Sequence, residues 1–209
     1  MYTPPRFRET DEAFTLDFVA GNGFATLVSV GEDGPVATHV PIDLHRDGSA
    51  TPYLLGHMAR ANPQWRTLSP ERDVLAIYLG PHAYVSPRWY DHPNVPTWNY
   101  LAVHVYGRPT VLTNPDELLP LVRGQVEKYE ADPKRRYRVE SLPPELLERQ
   151  LRGIVGFRIA ITRIEANAKL SQNRGERDYE NVVAELEKRG DSGSRGVAEL
   201  MWRKKEPKK

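Results

Sequence analysis

In the stretch Leu54-Leu55-Gly56-His57-Met58-Ala59-Arg60-Ala61-Asn62-Pro63-Gln64-Trp65, an imidazole, a guanidinium and a carboxamide follow a glycine within six residues. The apolar run Tyr53-Leu54-Leu55 stops at Gly56. That pattern reads as a strand end, a tight turn and the first turn of a helix or loop. Gly56 permits close backbone approach. A helix start offers unpaired N–H groups and a positive dipole end to an anion. Arg60 adds a planar, permanently charged fork that can hold a phosphate through two hydrogen bonds. Two readings stay open: a phosphate-binding corner, with His57 and Asn62 as extra donors, or a strand-to-helix turn carrying a surface Arg. The glycines of a Walker A loop or a dinucleotide fingerprint are missing.

Other chemistry is sparse. None of the six histidines (His39, His45, His57, His82, His92, His104) forms the close helical pair of a zinc motif. No metal site is therefore read. Without cysteine, disulfides and thiolate ligands are excluded. No Gly-x-Ser-x-Gly elbow occurs, and neither Ser86 nor Ser171 carries a sign of activation. No catalytic residue is assigned. The net charge of +1 gives no general attraction to nucleic acid. No segment approaches the roughly 18 apolar residues of a membrane span, and the N-terminus lacks an apolar signal core. These features together favour a cytoplasmic protein. The basic tail Arg203–Lys209 reads as a solvated end.

The elements that must position these residues are mostly short strands. Asp11 can cap a helix to Ala20. Phe24–Val30 and Pro35–Leu44 form a hairpin about Gly31-Glu32-Asp33-Gly34. On the second of these strands Val36, Thr38, Val40 and Ile42 share one face, and Ala37, His39 and Pro41 the other. A turn at Arg46–Ser49 leads to a strand ending at Leu55. Val74–Leu79 is a strand that Gly80-Pro81 breaks, and extended structure resumes over His82–Ser86. Thr97–Leu112 is the clearest long strand. Its face of Leu101, Val103 and Val105 suits a core, while Tyr100, His104 and Tyr106 suit a ligand or a partner subunit. Gly107 suggests a bend or an edge. Asn114-Pro115 starts one helix and Pro144 another. Lys134–Arg138 is a polar loop. Ile154–Ile164 is the last strand, and helices over Arg177–Lys188 and Gly196–Lys204 close the chain. About seven turn-linked strands imply antiparallel pairing in a barrel or sandwich decorated by helices, an α+β fold that is mainly β.

Five blocks then add up. Ala37-Thr38-His39-Val40-Pro41, Gly56–Trp65, Gly80-Pro81-His82-Ala83-Tyr84-Val85-Ser86-Pro87, Val95-Pro96-Thr97-Trp98-Asn99-Tyr100 and Lys169-Leu170-Ser171-Gln172-Asn173-Arg174 resemble, in order, the PaiB family of FMN-binding negative transcriptional regulators. The resemblance spans nearly the whole chain. It implies an antiparallel FMN-binding split barrel of the pyridoxamine 5′-phosphate oxidase type, one domain over 1–209. The barrel would cover about 20–165 and a helical extension about 166–209. It also implies a homodimer with flavin at the subunit interface. Arg60 then meets the FMN phosphate, with His57 and Asn62 beside it. Thr38, His39 and Val40 run along the flavin. The second subunit contributes Trp98, Asn99, Lys169, Ser171, Gln172 and Asn173, with Lys169 stabilising negative charge on a reduced ring. For Lys169–Arg174 the alternative is a capped turn before a helix.

Three functions compete: a flavin-binding regulator sensing redox or flavin status, a flavin-dependent oxidoreductase of a small molecule, and a haem-binding relative using His39 or His104. Arg177–Lys188 is mixed in charge, so any effect on transcription is expected to be indirect.

Overall fold

A computed structural model describes residues 1–46, 51–130, 132 and 137–205. The turn expected at 46–49, most of the basic run at 134–138 and the end of the tail fall outside the described residues. The elements are α1 (Glu12–Gly21), β1 (Phe24–Gly31), β2 (Gly34–His45), β3 (Tyr53–Ala59), β4 (Val74–Val85), β5 (Thr97–Leu112), α2 (Pro115–Tyr129), α3 (Pro144–Arg152), β6 (Ile154–Lys169), α4 (Glu176–Arg189) and α5 (Ser192–Lys205). The strands close into a barrel in the order β1-β2-β3-β6-β5-β4. The mainly β, α+β reading is therefore correct. Among the described residues the strands number six, because β4 is continuous through Gly80 and Pro81. A proline removes only one ladder donor, and its fixed φ is compatible with extended backbone.

Contacts divide the chain into two compact units. The first comprises Leu16–Tyr78 and Val105–Ile164, the second Met1–Thr15, Leu79–His104 and Glu165–Lys209. Strands β4, β5 and β6 run through both.

In the first unit, β1 and β2 pair along their length from Phe24↔Pro41 to Gly31↔Gly34. Gly34 takes φ 119°, which favours glycine, just after the two-residue turn. The expected alternation on β2 holds: Val40 and Ile42 are buried, and Ala37 and His39 are exposed. Two further expectations fail. Gly56 does not end β3, which continues to Ala59 and pairs with β6 from Tyr53↔Ala160 to Ala59↔Ile154. Gly107 does not lie on an edge, since β5 runs on to Leu112 between β6 and β4 in the strand order. Both glycines instead mark close approach. A Cβ at Gly56 would lie 2.5 Å from the Phe157 ring, and one at Gly107 2.3 Å from the Ala160 carbonyl oxygen. Leu27, Ile42, Leu54, Tyr78 and Phe157 are fully buried around them, each worth about 2–3 kcal/mol by area. Helix α2 begins at an Asn114 cap that accepts from Asp116 N at 3.0 Å. It lays Leu118 and Leu121 over Gly156.

In the second unit, α4 ends at Gly190 in the left-handed region, φ 69°. Asp191 then caps α5 by accepting from Ser194 N at 2.9 Å and Ser194 Oγ at 2.6 Å. The two helices bury Val182, Leu186, Val197 and Met201. The Tyr179 hydroxyl donates to Met201 O at 2.6 Å. Helix α5 seats Gly196 on Pro81, where a Cβ would come within 2.7 Å of the ring. Strand β6 is longer than its sequence pattern indicated, reaching Lys169. Beyond Ile164 its inward residues are Ala166 and Ala168, small enough to escape a count of large apolar side chains.

Two glycine substitutions test this packing. Gly107→Ala forces a methyl into backbone and is expected to lower stability by at least about 3 kcal/mol, the upper end of overpacking costs. Gly124→Ala, in α2 with nothing within 4 Å of its Cβ, is expected to raise it by about 0.5–1 kcal/mol. Urea denaturation of both variants checks the contrast.

Candidate functional site

The Arg60 corner is built as a clamp on the α3–β6 junction. Arg60 N donates to Gly153 O at 2.8 Å. Its Nε donates to Arg152 O at 2.8 Å and its Nη2 to Ile154 O at 3.0 Å. Trp65 Nε1 returns to Arg60 O at 3.0 Å. The guanidinium is thus engaged on one edge by carbonyls at a helix C-terminus, a favourable place for a cation. Nη1 is left to face another group. The helix start expected here is a short 3-10 segment, Pro63–Thr67, capped by Asn62. One such turn provides little of the dipole that the anion reading invoked.

Asn62 bonds one other residue selected from the sequence, Thr38. Its Oδ1 accepts from Gln64 N and its Nδ2 donates to Thr38 Oγ1, both at 3.0 Å. Thr38 lies on a part of β2 with one strand neighbour. β3 pairs with β2 over Ile42–His45 only, while β1 pairs with β2 over Gly34–Pro41. Over Val36–Pro41 the far edge of β2 therefore meets side chains rather than a strand. Gln64, only 1% exposed, donates through Nε2 to Leu27 O (2.9 Å), Val36 O (3.1 Å) and Ser29 Oγ (3.1 Å). It fastens the split edge, and sequence reasoning missed it. The available signal was an amide set between Pro63 and Trp65. The other selected residues here point differently. Val40 is buried in the core, so only its backbone could meet a ligand. His39 lies on the outer face, its Nδ1 2.9 Å from Thr26 Oγ1 and its ring stacked near Phe24.

In the second unit the turn after β6 is held by its own side chains. Asn99, fully buried, donates to Ser171 Oγ at 2.9 Å and to Met201 Sδ at 3.5 Å. Gln172 accepts from Leu170 N at 2.7 Å and donates to Ala168 O at 2.6 Å. These contacts hold Ser171 at φ 60°. The capped-turn reading therefore accounts for Asn99, Ser171 and Gln172. Lys169 donates to Thr97 Oγ1 at 2.5 Å, Asn173 is exposed, and Trp98 is 52% exposed with Tyr84 edge-on at 6.0 Å.

His57 sits mid-strand beside a polar cluster that the sequence did not disclose. Asp43 is 3% exposed. Its Oδ1 pairs with Lys128 Nζ and accepts from Tyr129 Oη at 3.0 Å, and its Oδ2 accepts from Gln125 Nε2 at 3.0 Å. Burial, aided by the Asp43 carboxylate, pushes the Tyr129 phenol up to about 12. Burial holds the His57 imidazole below its usual 6.5, against opposing pulls from Gln125 and Asp43. His57 Nδ1 and Gln125 Oε1 are both buried without a partner at hydrogen-bonding geometry, so the pull of Gln125 is that of a long contact. The cluster was hidden because Asp43 follows Ile42 on β2, and only α2, far along the chain, explains why both are buried. Among the described residues no group of three His, Asp or Glu could hold a metal. No helix there is long and apolar enough to cross a membrane.

Comparison with known proteins places this geometry. A family model described as an FMN-binding domain matches residues 1–163. The protease synthase and sporulation protein PAI 2 of Bacillus subtilis is 43% identical over 201 residues, covering 96% of each chain. The flavocytochrome Anf3 of Azotobacter vinelandii superposes with a TM-score of 0.60 at 15% identity, over 83% of this chain and 75% of that one. An FAD- and haem-binding protein of Mycobacterium smegmatis gives 0.59 at 16% identity, over 78% and 73%. The two solved structures share the fold.

Two outcomes follow from the polar cluster. Asp43→Ala removes the acceptor of a buried pair and is expected to cost about 3 kcal/mol in urea denaturation. For His57 the folded value lies below the unfolded one, so the unfolded chain binds the proton more readily. The stability this neutral ring contributes is complete above pH 6.5 and is lost as pH falls below it. His57→Asn is expected to flatten that part of a stability-versus-pH curve.

Proposed function

We propose, from the premise that this chain belongs to the PaiB-type family of FMN-binding proteins, that two copies hold FMN between them and that the protein is a regulator responding to flavin or redox state. The observation that carries the reading is the split in the barrel. Over Val36–Pro41 β2 has no second strand, and beyond Val36 O, which Gln64 takes, its edge offers backbone groups beside the Thr38–Asn62 pair. The residues fit a flavin nucleotide. Arg60 keeps Nη1 for a phosphate, Thr38 and Asn62 supply a hydroxyl and an amide, and the strand edge supplies donors and acceptors for a planar polar ring. When bound, FMN supplies hydride and one-electron chemistry. The chain's own part is to bind, orient and shield it.

The dimer is supported by apolar surface that water does not favour. Phe24 is 72% exposed, and Val30, Ala37 and the His39 ring are also exposed on the outer face of the β1–β2 hairpin. A second copy would cover such a face. Of the second copy's assigned contacts, Trp98 and Asn173 have exposed side chains that can act toward a ligand, and Lys169 is held by the Thr97 hydroxyl. Asn99, Ser171 and Gln172 would act by shaping the turn. We take the 209 residues as one FMN-binding domain. We further propose that transcriptional effects are indirect, because two of the three cations that end α5 are matched by acids: Lys204 by Glu9, and Lys205 by Glu176 and Glu180.

The visible spectrum of the purified protein, reloaded with FMN, tests the reading together with its mass in solution. Bound oxidised flavin in a particle of two chains is expected. A colourless monomer in excess FMN would refute it. A Soret band on adding haem, lost in His39→Ala, would assign the surface to haem instead. Arg60→Ala is expected to weaken FMN by about 1.5–3 kcal/mol, the scale of one charge-assisted contact. Arg60→Lys should fall between, since it keeps the charge and loses the fork. Steady NADPH turnover by the loaded protein would make it an oxidoreductase. A salt-sensitive, sequence-specific shift of promoter DNA by the pure protein would contradict the indirect role.

A further inference from the structure

Several cations of the second unit pair with acids. Arg177 pairs with Asp91, Lys204 with Glu9, and Lys205 with Glu176 and Glu180. Lys169 and Arg174, five residues apart on the turn after β6, have no ion pair among the described residues. Lys169 donates to the neutral Thr97 hydroxyl. Arg174 reaches Asn94 Oδ1 only at 3.5 Å, and its Nε is buried with no hydrogen-bond partner. The two charges oppose each other. After burial, the Arg174 charge is the named cause that lowers the Lys169 pKa, and no carboxylate raises it. Flexible side chains on a loose loop would swing apart into water. Here the backbone that carries them is held, because Asn99 and Gln172 bond the turn with Ser171 at φ 60°. The Arg174 guanidinium also lies over the Tyr90 ring at 4.8 Å, and Lys169 Nζ is 5.8 Å from the Phe7 ring centre.

A half-buried, unneutralised pair of cations with an unsatisfied guanidinium nitrogen is costly unless an anion completes it. We propose that Lys169 and Arg174 receive the dianionic phosphate group of a small phosphorylated ligand, distinct from the flavin's phosphate. Two positive charges match a phosphate's roughly −1.5 to −2. The Arg fork supplies direction, Lys169 supplies a point charge, and Tyr90 and Phe7 keep the site partly dry. The proposal rests on the cofactor reading in assigning the flavin's phosphate to Arg60, and it takes Lys169 from the flavin contact that the family resemblance implies for it.

The probe is inorganic phosphate, titrated calorimetrically at constant ionic strength into the full chain, first as purified and then with saturating FMN. One saturable site per chain is expected, with affinity changed less than about twofold by FMN. Arg174→Gln and Lys169→Gln should each weaken it at least about tenfold, and Arg174→Lys by less. Arg177→Gln, whose cation already has Asp91, should leave it unchanged. Far-UV circular dichroism reports folding of each variant, and Arg174→Lys preserves the charge should the glutamine variant unfold. No saturable phosphate binding would overturn the proposal, as would equal binding by the folded variants. Displacement of phosphate by FMN would also overturn it, by giving the pair to the cofactor. Failure of FMN to bind at all would sink the cofactor reading alone, because the isotherm of the chain as purified would still be readable.

Discussion

The first unit depends on how closely β6 approaches its neighbours. Phe157 fills the space over Gly56, and Gly107 brings β5 against the Ala160 carbonyl. Neither contact tolerates a Cβ. Protein interiors are packed too densely for a methyl group to be absorbed without moving backbone. β6 pairs with β3 and lies beside β5 in the strand order. It therefore sets where Arg60 meets the α3–β6 junction and where α2 lays its leucines.

That closure is incomplete by design on one side. Over Val36–Pro41 β2 lacks a second strand neighbour, and a free strand edge invites unwanted pairing. Here the edge is covered by side chains of the 62–67 segment. Asn62 and Gln64 satisfy polar groups without extending the sheet. A strand neighbour would have used the edge completely, whereas side chains leave room for a ligand. The Asp43 cluster supports the opposite end of the same strand. Its carboxylate takes hydrogen bonds from three α2 side chains, anchoring the helix to the barrel.

The second unit achieves rigidity differently. Its turn after β6 is short, polar and buried at Ser171, so its order comes from reciprocal hydrogen bonds with Asn99 and from Gln172 bonding its own backbone. A rigid turn of this kind can keep Lys169 and Arg174 together despite their mutual repulsion. In this respect it works as a binding element rather than a connector.

The sequence by itself determined the strand-rich class, the β1–β2 hairpin with its two faces, the Asn114 cap, the closing helices and, through five ordered blocks, the family. Those features are written locally, in alternation, in turn glycines and in short runs of residues. It also marked the corner at Arg60, but the direction of the guanidinium was decided by carbonyls nearly a hundred residues away. Gly56, Gly107 and Gly80-Pro81 misled because the first and last looked like stops and Gly107 like a bend or an edge. The tertiary structure uses the first two as close approaches and carries the last within a continuous strand. Asp43, Gln64 and the isolated Lys169–Arg174 pair emerged only on folding. Burial and charge balance belong to neighbours in space, and no local pattern records which distant residues those will be.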